Sequence, residues 1–290
     1  VGEPSAERAA SAQRLTSQDR PAATRPAPTP QNAAPKPQDT LSAVEARVAA
    51  EDLVGARKLL STALAQPQPA DEAPKLRQLV NLVGAQLTFS PRRAAGDKTV
   101  EAYTVQSGDV LARIAAKFLT TADFLQRING IADARRLRAG QTIKVVKGPM
   151  HAVVYKRQFV LDLWIGKPFE NDSVIVASFP VGLGKDDSTP VGLWQVEPGK
   201  KLKNPTYYSP RGEGVIAADD PKNPLGERWI GLIGIEGDAV GKNAYGIHGT
   251  IDPESIGKMA SLGCIRLLNE DAELVYDALV EGQSTVLIRE

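Results

Sequence analysis

Cys264 is the only cysteine in a chain of 290 residues, and His248 is one of two histidines. They stand sixteen positions apart. His248 lies in Tyr245-Gly-Ile-His248-Gly-Thr250, and Cys264 in Ser261-Leu-Gly-Cys264-Ile-Arg266. A thiol and an imidazole are the minimum parts of a nucleophilic acyl-transfer site. A free thiol ionises near pH ~8.5 and is largely unreactive at neutrality. A neighbouring imidazolium lowers that value and produces a thiolate–imidazolium pair. Gly263 permits close backbone approach, so that the amides of Gly263 and Cys264 can point at a developing oxyanion. Gly249 leaves room beside His248, where a neighbouring carbonyl can select the imidazole tautomer. Spacing alone leaves the plain readings open: a lone cysteine is often a small buried hydrophobe, and a histidine in a Gly-rich loop is often surface. His151, between Met150 and Ala152, has no such company and reads as structural.

The elements that must position these groups are predominantly strands. Ala152, Val154, Phe159, Leu161 and Leu163 alternate across a turn at Lys156-Arg157. The runs 174–181 and 192–196 read likewise, and 284–288 forms a closing strand. One helix follows the cysteine, with Asn269 as its cap, Glu270 and Asp271 at its positive end, and Leu274, Val275 and Leu279 as a buried stripe. This texture, over 149–290, predicts a β-rich, sandwich-like domain. Upstream, Tyr103 and Val105 alternate as a short strand, and Ser107-Gly108-Asp109 offers a turn and a cap. Leu111, Ile114 and Phe118 follow helical spacing, as do Phe124, Leu125 and Ile128, and 137–146 closes with a strand. The order over 102–147 is strand, helix, helix, strand.

Residues 41–89 carry apolar residues at helical spacing from Val44 to Leu64, with Thr40 as a candidate cap, and again from Leu76 to Val83. They form a short helical unit, weakly similar to a tetratricopeptide repeat. It is a structural spacer or, alternatively, a surface for a protein partner. Residues 90–101 read as a linker. Residues 1–40 contain seven prolines and no apolar periodicity, a composition expected of a disordered tether. The fold class is therefore multidomain α+β. The chain begins at Val1 rather than Met, which fits a processed or trimmed chain whose export signal has been removed. No run of about 18 apolar residues is present. A net charge of +1 gives no reason to expect nucleic acid as a partner. One cysteine and two histidines are too few for an ordinary zinc site unless carboxylates contribute ligands.

Two family resemblances sharpen this. Residues 103–146 resemble a LysM domain through Tyr103, Val105, Gly108, Asp109, Leu111, Ile114, Ala115, Asn129, Gly130, Gly140, Gln141 and Ile143. The resemblance implies binding to N-acetylglucosamine-containing glycan strands, or a spacer of the same shape. His248-Gly-Thr and Ser261-Leu-Gly-Cys264-Ile-Arg266, with Thr189-Pro190-Val-Gly192 and Asn223-Pro-Leu-Gly226-Glu-Arg228-Trp229-Ile-Gly231, resemble L,D-transpeptidases of the YkuD type. That family's fold is a mixed β-sandwich. The resemblance implies Cys264 as nucleophile, His248 as general acid and base, and the Gly249 carbonyl as its orienter. It implies Ser261 and Arg266 as hydrogen-bonding buttresses of the cysteine loop, and Tyr245 and Trp229 on the cleft wall. It further implies peptidoglycan tetrapeptide stems as substrate, 3→3 cross-links as product, no cofactor, and a place in the bacterial envelope. Hydrolysis of the same thioester, and a glycan-binding protein with a retired site, remain alternatives. A sortase does not fit, because Arg266 follows Cys264 too closely. One departure is Leu262, where the family often carries histidine; His248 is then the one imidazole at the site.

Overall fold

The computed structural model describes residues 37–209, 212 and 214–290. Most of the stretch read as a tether, residues 1–36, lies outside them. Three helices come first: α1 (Pro37–Ala49), α2 (Leu53–Leu64) and α3 (Ala73–Leu87). Thr40 falls inside α1 rather than capping it, because Pro37 already supplies the fixed φ of a first helical turn. Asp52 caps α2, its carboxylate accepting the Gly55 amide at 2.9 Å. Next comes the βααβ unit, β1 (Val100–Thr104), α4 (Leu111–Lys117), α5 (Ala122–Asn129) and β2 (Thr142–Val146). β1 and β2 pair antiparallel, with Tyr103 opposite Ile143. Thr121 caps α5 through the Phe124 amide at 3.0 Å, and Gly130, at φ 62°, ends it in the left-handed region. Asp109 does not cap α4. Its carboxylate instead accepts from the Tyr103 hydroxyl and the Gln106 amide, both at 2.8 Å, and so pins the turn.

The rest of the chain builds one eight-stranded mixed sheet and two small pairs. Its strands are β3 (Met150–Tyr155), β4 (Val160–Ile165), β5 (Val174–Pro180), β6 (Leu183–Gly184), β7 (Gly192–Lys203), β8 (Tyr207–Tyr208) and β9 (Val215–Ile216), followed by β10 (Arg228–Glu236), β11 (Tyr245–His248), β12 (Met259–Ser261), β13 (Ile265–Arg266) and β14 (Thr285–Arg289). The sheet runs β13-β11-β10-β7-β14-β3-β4-β5; β6 pairs with β12, and β8 with β9. Helix α6 (Asn269–Ala278) packs on β10 and β11, and Ala272, Val275 and Leu279 share a core with Leu232 and Ile247. The architecture is the β-rich α+β class that the alternation predicted.

The helical unit does not stand apart. Leu60, Leu64, Leu76, Val80 and Val83 bury against Val153, Tyr155, Trp164 and Ile175 of the large sheet. They cover edge strand β5, whose unpaired groups would otherwise invite another chain. Ser61 Oγ accepts the Ile175 amide at 3.0 Å. The Asn81 amide pairs with both backbone groups of Ser178 at 2.8 Å. Arg77 donates to both Asp162 carboxylate oxygens at 3.0–3.2 Å, fully inside the interface. A Cβ on Gly84 would lie 1.9 Å from the Val176 carbonyl oxygen, so only glycine lets α3 come this close. Asp97, within the stretch read as a linker, is buried against Arg57 at 2.6 Å.

The βααβ unit is held as tightly. Phe124, Leu125, Ile128 and Ile143 belong to the same continuous core as the sheet residues Leu163 and Val286. Arg127 meets Asp277 of α6 at 2.6 Å, and Lys203 of β7 meets Asp123 of α5 at 2.8 Å. Lys144, buried on β2, donates to the Leu87 carbonyl and, at 2.9 Å, to that of Ser90. It thereby satisfies the open C-terminus of α3. Burial pushes this ammonium down to about 8.

Candidate active site

Strands β11 and β13 run parallel, with Ile247 beside Ile265 and His248 beside Arg266. Side chains alternate across a strand. His248 and Arg266 therefore share one face, and Gly246 and Cys264, two residues back, share it with them. The Gly246 backbone hydrogen-bonds the Cys264 thiol. His248, Cys264, Arg266, Trp229 and Leu262 line one cleft of about 360 Å³. Tyr207 and Tyr208 of β8 line it too. The sixteen-residue gap is thus closed by a parallel crossover that passes through β12.

His248 is buried, and its Nδ1 lies 2.6 Å from the Gly249 carbonyl oxygen. A carbonyl only accepts, so Nδ1 carries the proton and Nε2 is left basic. Trp229 stacks on the ring at 5.8 Å and 22°. A Cβ on Gly246 would lie 2.6 Å from that indole, so the glycine makes room for it. Burial pushes the imidazole down to about 4; the nearby Arg266 charge adds to this, and the Gly249 bond opposes it. Burial pushes the Cys264 thiol up to about 11, against the pull of the Gly246 bond and Arg266. Both shifts favour uncharged forms. Burial thus works against the thiolate–imidazolium pair expected from proximity. Desolvation penalises both charges together.

The cysteine loop is fixed by its neighbours. Gly263 adopts φ 127°, and a Cβ there would strike the Tyr245 ring at 2.7 Å and the Ser188 carbonyl oxygen at 3.1 Å. Tyr245 consequently supports the loop from below. It packs on Trp194 at 5.1 Å and is not on the cleft wall, where it was expected beside Trp229. Ser261 Oγ donates to the Cys264 carbonyl at 2.6 Å and accepts the Gly263 amide at 3.1 Å. The Gly263 amide is thereby consumed, and the expected pair of oxyanion donors reduces to the Cys264 amide. Arg266 bridges to Gly182 through its backbone at 2.8 and 2.9 Å, and its buried Nε has no partner among the described residues. The bonds that hold Arg266 here are thus backbone bonds, where a side-chain buttress was expected.

Two residues at the site escaped the sequence reading. Thr189 Oγ1 donates to the Gly263 carbonyl at 3.0 Å and accepts the Gly184 amide at 2.8 Å. Its Thr-Pro-x-Gly context was visible, but nothing local ties it to a loop 74 residues away. Asn269 was read as the cap of α6. Its side chain instead accepts the Thr250 amide at 3.0 Å and abuts Gly249, where a Cβ would lie 2.0 Å from its oxygen. It thus holds the carbonyl that orients His248. His151 is remote from the cleft: its Nδ1 accepts the Thr285 amide at 3.0 Å, tying β3 to β14. Among the described residues, no three His, Cys, Asp or Glu side chains converge as a metal-binding group.

Known proteins resemble this chain in the same two regions. The model of the L,D-transpeptidase catalytic domain, YkuD, matches residues 149–288, and that of the LysM domain matches 103–146. A protein of Bacillus licheniformis described as an L,D-transpeptidase, YkuD, is 33% identical over 173 residues, covering 58% of this chain and 87% of its own length. Its counterpart in Bacillus subtilis is 30% identical over 195 residues, covering 64% of this chain and 98% of its own. Among solved structures, L,D-transpeptidase 3 from Mycobacterium tuberculosis aligns at 19% identity and a TM-score of 0.36, over 52% of this chain and 66% of that one.

Proposed function

Because the chain belongs to the YkuD family of L,D-transpeptidases and carries a LysM domain, we propose that it cross-links peptidoglycan stems through a thioester on Cys264. The observation that carries this reading is the arrangement on one sheet face: a half-buried thiol and a basic Nε2 on the wall of a 360 Å³ cleft.

The chemistry starts from the uncharged forms that burial favours. The Cys264 sulfur attacks the carbonyl that joins the third residue of a tetrapeptide stem to its terminal D-alanine. A C–S bond forms as the thiol proton passes to Nε2 of His248, and the carbonyl π electrons move to oxygen. Collapse breaks the C–N bond, and His248 returns its proton to the departing D-alanine amine. An amine from a second stem then attacks the thioester and transfers a proton to His248; the C–S bond breaks as a 3→3 link forms, and His248 returns the proton to the departing sulfur. Arg266 stabilises the negative charge that develops at sulfur and oxygen. The cleft holds donor and acceptor together, which turns an intermolecular attack into a local one. Such a substrate assigns the protein to the bacterial envelope, with glycan strands held by the LysM domain. No helix among the described residues is long and apolar enough to cross a membrane.

The test is incubation with labelled disaccharide-tetrapeptide and mass spectrometry of both protein and products. The wild type should show a thioester adduct and cross-linked dimer, and Cys264→Ala neither. Hydrolysed monomer without dimer would reassign the enzyme as a carboxypeptidase. An adduct on Cys264→Ala would remove Cys264 as the nucleophile.

A further inference from the structure

The backbone of the cysteine loop is held by two hydroxyls. Ser261 Oγ takes the Gly263 amide and the Cys264 carbonyl. Thr189 Oγ1 takes the Gly263 carbonyl at 3.0 Å. The Gly263 carbonyl and the Cys264 N–H belong to one peptide plane, and in a trans peptide they point in opposite directions. Clamping the carbonyl on the inner side therefore fixes the direction of the amide on the outer side. Gly263 at φ 127° has no side chain to restrict that plane, so a partner on its carbonyl helps to orient it.

Thr189 is itself held firmly. It is buried, and its hydroxyl oxygen accepts the Gly184 amide at 2.8 Å, which orients the O–H towards Gly263. A hydrogen bond at the carbonyl also polarises the amide across the same peptide, strengthening its N–H as a donor. Just before Thr189, Asp186 and Asp187 both adopt left-handed backbone, at φ 52° and 60°. The buried Lys156 grips Asp187 at 2.6 Å and so holds this turn in place.

Resting on the reading of Cys264 as the nucleophile, we infer that Thr189 is the positioning residue of the oxyanion site: its hydroxyl clamps the Gly263 carbonyl and thereby aims the Cys264 amide at the oxygen of the tetrahedral intermediate. Thr189 touches neither substrate nor sulfur, and acts through the peptide plane alone.

Two reagents that both begin with attack by the Cys264 sulfur separate this role from a structural one. p-Nitrophenyl acetate passes through an oxyanion, whereas iodoacetamide loses iodide without forming one. Thr189→Val should slow the acylation burst by about 10- to 100-fold, below the loss typical of removing a donor outright, and leave alkylation within about twofold of wild type. Thr189→Ser, which keeps the hydroxyl, should restore acylation. If Thr189→Val fails to fold, Thr189→Ala carries the same comparison. Equal loss with both reagents would show that Thr189 merely supports the loop, and no loss with either would show that it does not aim the amide; both outcomes overturn the inference. A wild type acylated by the ester but not by disaccharide-tetrapeptide would instead sink the substrate reading and leave Thr189 decided by the same variants.

Discussion

At the scale of single residues, the unusual property of the site is its neutrality. His248 is held near 4 and Cys264 near 11 by burial, so neither titrates in the range where a preformed ion pair would. On the proposed mechanism, activation comes with substrate, as the proton leaves sulfur for Nε2 during attack. For the free enzyme, the iodoacetamide rate should climb about tenfold per pH unit through pH 7 to 9, because the thiolate fraction keeps rising below the raised thiol value. A plateau beginning near pH 6 would mean a thiolate–imidazolium pair and would refute the neutral resting state. Acylation by substrate should persist on the acid side well below pH 6, since the imidazole stays unprotonated until about 4. Leu262, 53% exposed on the cleft wall, brings no second imidazole to soften either limit.

At the scale of elements, the helical unit finds its purpose in strand β5. Its apolar stripe was legible, but the surface it covers was not. Ser61 and Asn81 satisfy backbone groups of the edge strand, and Arg77 neutralises Asp162 inside the contact. Burial raises the Asp162 carboxyl while Arg77 and Ser178 pull it down, so this carboxylate depends on its partner. Removing one member of a buried pair typically costs about 3–5 kcal/mol, because the other charge is stranded. Arg77→Met should lower stability by that order in urea unfolding. The double variant Arg77→Met/Asp162→Leu should recover part of the loss. A change below about 1 kcal/mol in the single variant would mean that Asp162 is not held by Arg77.

At the scale of the whole molecule, one core runs from the LysM helices through the large sheet to α6, and a second joins the N-terminal helices to the same sheet. Lys144 stitches the LysM strand to the end of α3, and Arg127 stitches α5 to α6. Residues 37–290 should therefore unfold as one cooperative body. The signals are separable: all three tryptophans lie in the catalytic region, while much of the helical circular dichroism arises from α1–α3. Coincident thermal transitions by fluorescence and by circular dichroism are expected, and two transitions several degrees apart would disprove the shared core. For the same reason, deleting 103–146 should depress activity on soluble stems as well as on polymeric wall, because the deletion opens the catalytic core.

The amino-acid sequence by itself singled out the candidate pair Cys264 and His248 and determined the strand-rich texture around it, the βααβ unit, and the helical stripes upstream. Each is written in local spacing: an unmatched cysteine, an alternation of period two, a cap followed by a left-handed glycine at Gly130. Tertiary structure alone decided the burial that shifts Cys264 and His248 towards their uncharged forms, because desolvation depends on what covers a group, not on its neighbours in sequence. It decided that Asn269 serves Thr250 rather than α6, that Tyr245 lies beneath the loop, and that Ser261 consumes the Gly263 amide. It also brought Thr189 to Gly263 across 74 positions. A hydrogen bond between segments that meet only once the sheet has closed leaves no periodicity in either, and so only the folded chain reveals it.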